Sequence, residues 1–215
     1  MIVGLTGPAR CGKNTIADHL VAKYFFTRIA FSDALYKEVA EAFDVSEEML
    51  RRDETKDVRL YGLALRYCRD DQFVAAVARS CGVAIEDAPM VSRRSPRELL
   101  QWWGTEYRRA QDPDYWVKKL AERMCQITGD GGDIHDARVA VDGVRFPNEE
   151  AFLRSLPGFE MWHVVRQGGP EVAAHASEIE QKRITVDMTR DALLQNNGTI
   201  PQLRAIVDML VEGRL

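Results

Sequence analysis

The sequence predicts an α/β protein in three layers, a mainly parallel sheet with helices on both faces. Short apolar runs at 2–6, 138–142 and 161–166 alternate with segments whose apolar residues recur at helical spacing, the pattern of buried strands joined by helical crossovers. The first run passes through a glycine-bounded turn straight into an amphipathic segment. Two capping boxes mark further helix starts.

Taken in order, 2–6 is an uncharged run that reads as a strand buried on both faces. Ile16, Ala17, Leu20, Val21 and Tyr24 then give a helix from about 13 to 25. Residues 28–31 read as a second strand. Ser32 is placed to cap the next helix, whose apolar positions include Leu35, Val39, Ala40 and Phe43. Residues 46–95 are charge-rich with short helical patterns, and read as an insertion or substrate-side subdomain. Ser95-Pro96-Arg97-Glu98 combines an N-cap serine, a proline at the first helical position and a box-closing glutamate.

A further helix is expected over 115–125, a turn-rich break at 129–133, a strand at 138–142, a helix at 148–156 and a strand at 161–166. The polar segment 167–182, with Gly168-Gly169-Pro170, suits a mobile loop or lid. Residues 184–188 read as an edge strand and 192–195 as a short inner one. Asn196-Asn197-Gly198 is a turn, and Thr199 with Gln202 caps a last helix that buries Leu203, Ile206, Val207, Leu210 and Val211.

The 215 residues suffice for a single domain over 1–215, with a helical subdomain at about 46–110 and a lid-like segment at about 167–183. A hydrophobic fraction of 46% and a charged fraction of 29% are ordinary for a globular chain. The net charge of −4 argues against a broad nucleic-acid or anionic-membrane surface, and no such partner is expected. Cys11, Cys68, Cys81 and Cys125 have neither CxxC nor zinc-site spacing and read as reduced thiols. No apolar run reaches signal-peptide or transmembrane length, so a soluble, cytoplasmic protein is expected.

The chemistry concentrates at residues 7–15, Gly7-Pro8-Ala9-Arg10-Cys11-Gly12-Lys13-Asn14-Thr15. They meet GxxxxGK between a predicted strand and a predicted helix, the context of a phosphate-binding loop, which specifies the fold as that of the P-loop NTPases. Glycines at the two ends let backbone N–H groups turn inward, with the helix N-terminus aimed at the anion. Lys13 reaches the β- and γ-phosphates of a triphosphate. The usual Ser/Thr magnesium ligand after the lysine is here Asn14, with Thr15 one place on. The Asn14 oxygen, Thr15 or water then completes the Mg2+ shell. Cys11 is either redox-sensitive beside Lys13 or simply a small residue that fits.

On the helix from Pro96, Arg97, Gln101 and Arg108 fall within roughly 40° of one another at about 100° per residue. With Thr105 nearby, such a face holds a phosphate and the edge of a base. Read from the helix alone, a solvated polar face is the simpler account.

Several segments together resemble the deoxynucleoside monophosphate kinases of tailed bacteriophages, a branch of the P-loop kinases. They are the 7–15 loop, Phe31-Ser32-Asp33, Pro96-Arg97-Glu98-Leu99-Leu100-Gln101, Gly104-Thr105-Glu106 and Pro113-Asp114-Tyr115-Trp116-Val117. They continue with Val144-Arg145-Phe146-Pro147-Asn148-Glu149, Arg166, His175-Ala176-Ser177-Glu178 and Asn197-Gly198-Thr199. The resemblance implies transfer of the ATP γ-phosphate to a deoxynucleoside monophosphate (dNMP), giving dNDP and ADP with magnesium. It implies that Lys13 and the loop amides hold ATP, that Asn197 and Gly198 border its adenine, and that a homodimer is possible. It implies that Arg97, Gln101, Thr105 and Arg108 face the monophosphate. Arg145 then neutralises a substrate phosphate, and Arg166 acts as a lid arginine on the transferring group. Trp102 or Trp103 either stacks on the base or belongs to the core.

The family usually carries an acid two places before the arginine of Val-Arg-Phe. That place is Gly143, and Asp142 lies one residue earlier. Asp142 serves the magnesium site only if the strand ends or bulges there; otherwise Asp33 is the better carboxylate. Two other readings stay open, a P-loop kinase for another small phosphorylated metabolite and a nucleotide-dependent regulatory ATPase.

Overall fold

The computed structural model describes residues 1–82, 90–129, 137–167, 181, 183–187 and 189–214. Among them, five strands form one sheet in the order β2-β3-β1-β4-β5, and all four pairings are parallel. The strands are β1 (Ile2–Thr6), β2 (Thr27–Ala30), β3 (Val139–Asp142), β4 (Phe159–Val165) and β5 (Ala192–Gln195). The helices are α1 (Lys13–Tyr24), α2 (Ser32–Phe43), α3 (Glu47–Arg51), α4 (Asp71–Ser80), α5 (Pro96–Gln101), α6 (Tyr115–Thr128), α7 (Pro147–Arg154) and α8 (Ile200–Glu212). The expected parallel α/β fold is present.

The chain divides into two compact units, Met1–Phe31 with Leu120–Leu215, and Ser32–Lys119. In the first, β1 is buried throughout. Register puts Val3 beside Ala140 and Leu5 beside Trp162, with Trp162 and Val164 beside Ala192 and Leu194. These alternate residues form one sheet face. It packs against Ile16, Ala17, Leu20 and Tyr24 of α1 and Leu203, Val207 and Val211 of α8. Polar groups tie the same two helices: Tyr24 donates to Asp208 Oδ1 at 2.9 Å, and His19 Nε2 lies 2.7 Å from that oxygen.

In the second unit, Phe73 of α4 packs on Trp103 and Tyr107, with ring centroids 4.5 and 5.7 Å away. Glu38 of α2 is the polar anchor. Its Oε2 accepts from Trp103 Nε1 and Arg108 Nε, each at 2.8 Å, and its Oε1 accepts from the Tyr115 hydroxyl.

Three expectations change. The segment 192–195 is an edge strand, not an inner one, and its alternating buried and exposed residues suit a strand covered on one face. Residues 184–187 form no strand. The Asp187 carboxylate instead accepts from the Thr189 amide at 3.0 Å, a side-chain turn that competes with strand pairing. Finally, the helix from Pro96 is α-helical only to Gln101 and continues as a π-helix over Trp102–Arg109. The angular spacing of an α-helix therefore does not carry from Gln101 to Arg108. The expected turn at 129–133 lies, after Gly129, outside the described residues.

Candidate phosphate-binding site

Parallel register brings the carboxyl ends of the strands level. Leu5 pairs with Asp142, Asp142 with Ala30, and Val165 with Gln195. The segments leaving this edge are residues 7–12, 143–146, 166–167 and 196–199. Open parallel sheets bind ligands at this edge, where the winding changes direction. Here β1 lies at that change, between β3 and β4. Four sequence-predicted features therefore share one edge: the glycine loop, Arg145, Arg166 and Asn197-Gly198.

The loop is built only for glycine at its ends. Gly7 has φ +139° and Gly12 φ +112°. A Cβ on Gly7 would lie 2.1 Å from the Val164 carbonyl oxygen, and one on Gly12 2.4 Å from Asn196 Nδ2. Gly12 is also the N-cap of α1, and no side chain caps that helix. Its first amides are left for an anion. Lys13 Nζ donates to the carbonyls of Gly7 at 2.7 Å and Pro8 at 2.8 Å. The ammonium thus rests against the loop it would leave to meet a phosphate. Ala9 and Arg10 line the loop between the glycines, Arg10 with a left-handed φ of +60°. Cys11 is buried in the α1–α8 core, the placement of a small residue that fits.

Several residues that support the loop escaped the sequence reading. Asn196 is buried and donates from Nδ2 to the Cys11 carbonyl at 2.8 Å, while its own amide donates to Val165 O at 2.8 Å. It fastens the loop to the β5 end. The only sequence sign was the turn at 196–198, which explains a polar residue without requiring its burial. Gln181 Nε2 donates to Gly7 O at 3.1 Å and to Val144 O at 3.3 Å, spanning the segments after β1 and β3. Glu149 is buried, and its Oε2 accepts from the amides of Arg145 at 2.9 Å and Phe146 at 3.2 Å. That contact gives Val-Arg-Phe-Pro-Asn-Glu a structural reason: the glutamate turns the chain that presents Arg145, whose residue is exposed.

Asn197 Oδ1 accepts from the Gln167 amide at 2.9 Å. With Gly198, Gln195, Gln202, Ala205, Ile206 and Met209 it lines an open depression of about 490 Å³. Arg166 follows β4 directly and is exposed. The lid expected at 167–183 lies outside the described residues except for Gln167, Gln181 and Arg183, and so do His175, Ser177 and Glu178.

β3 does end at Asp142, where Gly143 turns the chain at φ +72°. The Asp142 carboxylate and the Asn14 carboxamide are then brought together by a third residue, Arg28. One guanidinium nitrogen of Arg28 donates both to Asn14 Oδ1 at 2.8 Å and to Asp142 Oδ2, and the other to Asp18 Oδ1 at 2.7 Å. Magnesium takes oxygen ligands in a tight octahedron, whereas here a fixed cation holds the facing oxygens of the pair. As they stand, Asn14 and Asp142 do not fit a protein-held magnesium site. Among the described residues no group of three or more His, Cys, Asp or Glu is placed to hold a metal ion. Thr15 stands in the first turn of α1.

The remaining predicted residues lie in the Ser32–Lys119 unit. Asp33 accepts from Arg51 at 3.1 Å. Arg97 forms a two-pronged pair with Asp57, 2.6 Å from Nε and 3.3 Å from Nη2. The hydrogen bond from Arg97 holds the Asp57 carboxyl below its ordinary range, outweighing the upward push from burial. Both members are open to solvent, 47% and 72% exposed, so their pairing is weak and can be exchanged. Arg108 differs. It is 21% exposed against Glu38 at 17%, and its guanidinium lies over the rings of Tyr107 at 4.5 Å and Tyr115 at 5.0 Å. Trp103 is core, whereas Trp102 is half-buried with Arg94 5.0 Å from its ring. Gln101 ends α5, and Thr105 lies on the π-helix; both are half-buried.

No family model matches the chain. A protein of Acanthamoeba polyphaga mimivirus named "Putative deoxynucleotide monophosphate kinase" is 25% identical over 236 residues, covering 99% of this chain and 97% of its own length. Among solved structures, the dephospho-CoA kinase from Campylobacter jejuni aligns with 99% of this chain and 96% of its own, at 11% identity and a TM-score of 0.48. A sugar kinase from a Janibacter species aligns with 98% of this chain and 94% of its own, at 13% identity and a TM-score of 0.46. The sequence likeness to a protein named as a kinase runs over nearly the full length of both chains.

Proposed function

We propose that this chain transfers the γ-phosphoryl group of ATP to a deoxynucleoside monophosphate, giving the diphosphate and ADP. The observation that carries the donor half is the loop itself. Glycine-only geometry, an uncapped helix N-terminus and a lysine resting on the loop carbonyls meet at the carboxyl edge of a parallel sheet. The acceptor half rests on the full-length likeness to the mimiviral relative.

In this reading ATP supplies the transferable phosphoryl group, and the chain binds, orients and neutralises charge. Phosphoryl transfer needs little else from a protein. Lys13 leaves the Gly7 and Pro8 carbonyls for the phosphates, while Gln181 keeps the Gly7 carbonyl satisfied. Arg145 and Arg166, exposed beyond β3 and β4, meet phosphate oxygens. Arg97 exchanges Asp57 for the monophosphate, because its present pair is solvent-screened. Arg108 keeps Glu38 and positions the helix that carries Gln101 and Thr105, with Trp102 available to a base.

A coupled assay offering ATP, magnesium and each of the four common dNMPs tests the proposal. Formation of ADP that depends on one or more acceptors is expected. Absence of ADP above background with every acceptor would refute it. Turnover with phosphorylated metabolites lacking a base would favour the other-kinase reading, and acceptor-independent hydrolysis the regulatory ATPase. Lys13→Ala should lower turnover by about two or more orders of magnitude, as loss of a preorganised charge contact does.

A further inference from the structure

We infer that Arg28 is a resident cation of the phosphate-binding edge, occupying the position between Asn14 and Asp142 that a protein-held divalent ion would take.

Three observations converge. Arg28 lies on β2 two residues before Ala30, and Ala30 pairs with Asp142. By strand alternation Arg28, Ala30 and Asp142 therefore share the sheet face that α1 covers. The turn at Gly143 ends β3 so that Asp142 is its last residue, with its side chain only 13% exposed. Asn14 stands in the first turn of α1 with its carboxamide oxygen directed to the same guanidinium nitrogen. A guanidinium stays charged at any pH a protein survives, and its planar fork fits several oxygens at once.

The two sequence departures of this region then become one arrangement. An asparagine after the lysine offers a neutral oxygen that accepts a hydrogen bond from an arginine and binds a divalent ion only weakly. An aspartate one residue early gives that arginine its counter-charge. A divalent ion entering between these oxygens would have to displace a like-charged group from a largely sheltered carboxylate, which is costly at short range. Arg28 thus acts as a positioning residue. It joins the first turns of α1, through Asn14 and Asp18, to the end of β3. Any divalent ion that accompanies the nucleotide is left to phosphate oxygens, Thr15 and water.

The inference rests on the nucleotide reading of the loop, yet its test does not need turnover. Mn2+, a spectroscopic stand-in for magnesium, is titrated into nucleotide-free protein and followed by electron paramagnetic resonance. Wild-type protein is expected to bind no Mn2+ tighter than the millimolar range. Arg28→Met frees Asn14, Asp18 and Asp142 and should tighten binding by about tenfold or more, a gain that Asp142→Asn added to it should remove. Arg28→Gln, which keeps hydrogen bonding without charge, serves if circular dichroism shows the methionine variant unfolded. Submillimolar Mn2+ binding by wild type that Asp142→Asn abolishes would overturn the inference. So would folded Arg28 variants with no gain. ATP binding by calorimetry on the same samples separates the readings: failure of wild type to bind ATP sinks the nucleotide reading and leaves the Mn2+ comparison standing.

Discussion

At the scale of single residues, the loop depends on neighbours far away in sequence. Asn196 joins the Cys11 carbonyl from 185 positions on, in a buried setting. Removing it leaves a buried carbonyl without its partner, at a cost of about 1–3 kcal/mol. Asn196→Ala should lower unfolding stability by that amount in urea titration and weaken ATP binding measured by calorimetry. The loop was legible because its residues are contiguous and each has a local role, the glycines in turning the chain and the lysine in meeting the anion. Asn196, Gln181, Glu149 and Arg28 were not, because their partners are backbone or side-chain atoms brought near only by the sheet. Arg28 left one faint mark, a charge on a strand whose neighbours face α1.

Elements were legible where their ends carry chemistry of their own. Ser95 accepts from the Glu98 amide, and Glu98 returns the contact to the Ser95 amide, as the sequence predicted. Ser95→Ala should cost about 1 kcal/mol, read as a shift in denaturation midpoint at unchanged slope. The helix beyond that cap was not legible. The π-helix over Trp102–Arg109 holds Trp103, Gly104 and Tyr107 buried, and that choice is made by packing rather than by local propensity. The pairing of α1 with α8 adds a pH dependence. Burial raises the Asp208 carboxyl, but hydrogen bonds from Lys23, His19 and Tyr24 outweigh it and hold its pKa at about 2. An unfolded aspartate titrates near 3.9. Its stabilisation is therefore complete above about pH 4 and is lost as pH falls towards 2. Urea midpoints measured between pH 2 and 5 should drop with acid in wild type, and Asp208→Asn should flatten part of that slope.

For the whole molecule, fold class followed from alternation of strand and helix patterns, and strand order did not. Nothing local tells β1 that its neighbours are β3 and β4, or places β5 at an edge. The region 46–95 was opaque for a related reason: its core, with Leu50, Leu63, Leu65 and Phe73 all buried, comes from short pieces without sustained periodicity. If the loop binds ATP in the folded state alone, ligand at 100 times its Kd adds about 2.7 kcal/mol to unfolding. A rise in Tm with ATP concentration, absent in Lys13→Ala, is the expected result in a thermal-shift series.

The sheet order also dictates a schedule. β1 is made before both of its partners, whose paired residues begin at Val139 and Phe159, so its backbone waits unpaired until those segments have been made. The Ser32–Lys119 unit, by contrast, is one continuous stretch of chain. On a ribosome that stretch can condense before Gln181 and Asn196, which hold the glycine loop, have emerged. Nucleotide can act as a folding ligand for this chain only once the segments that complete the loop, through Asn196, have emerged.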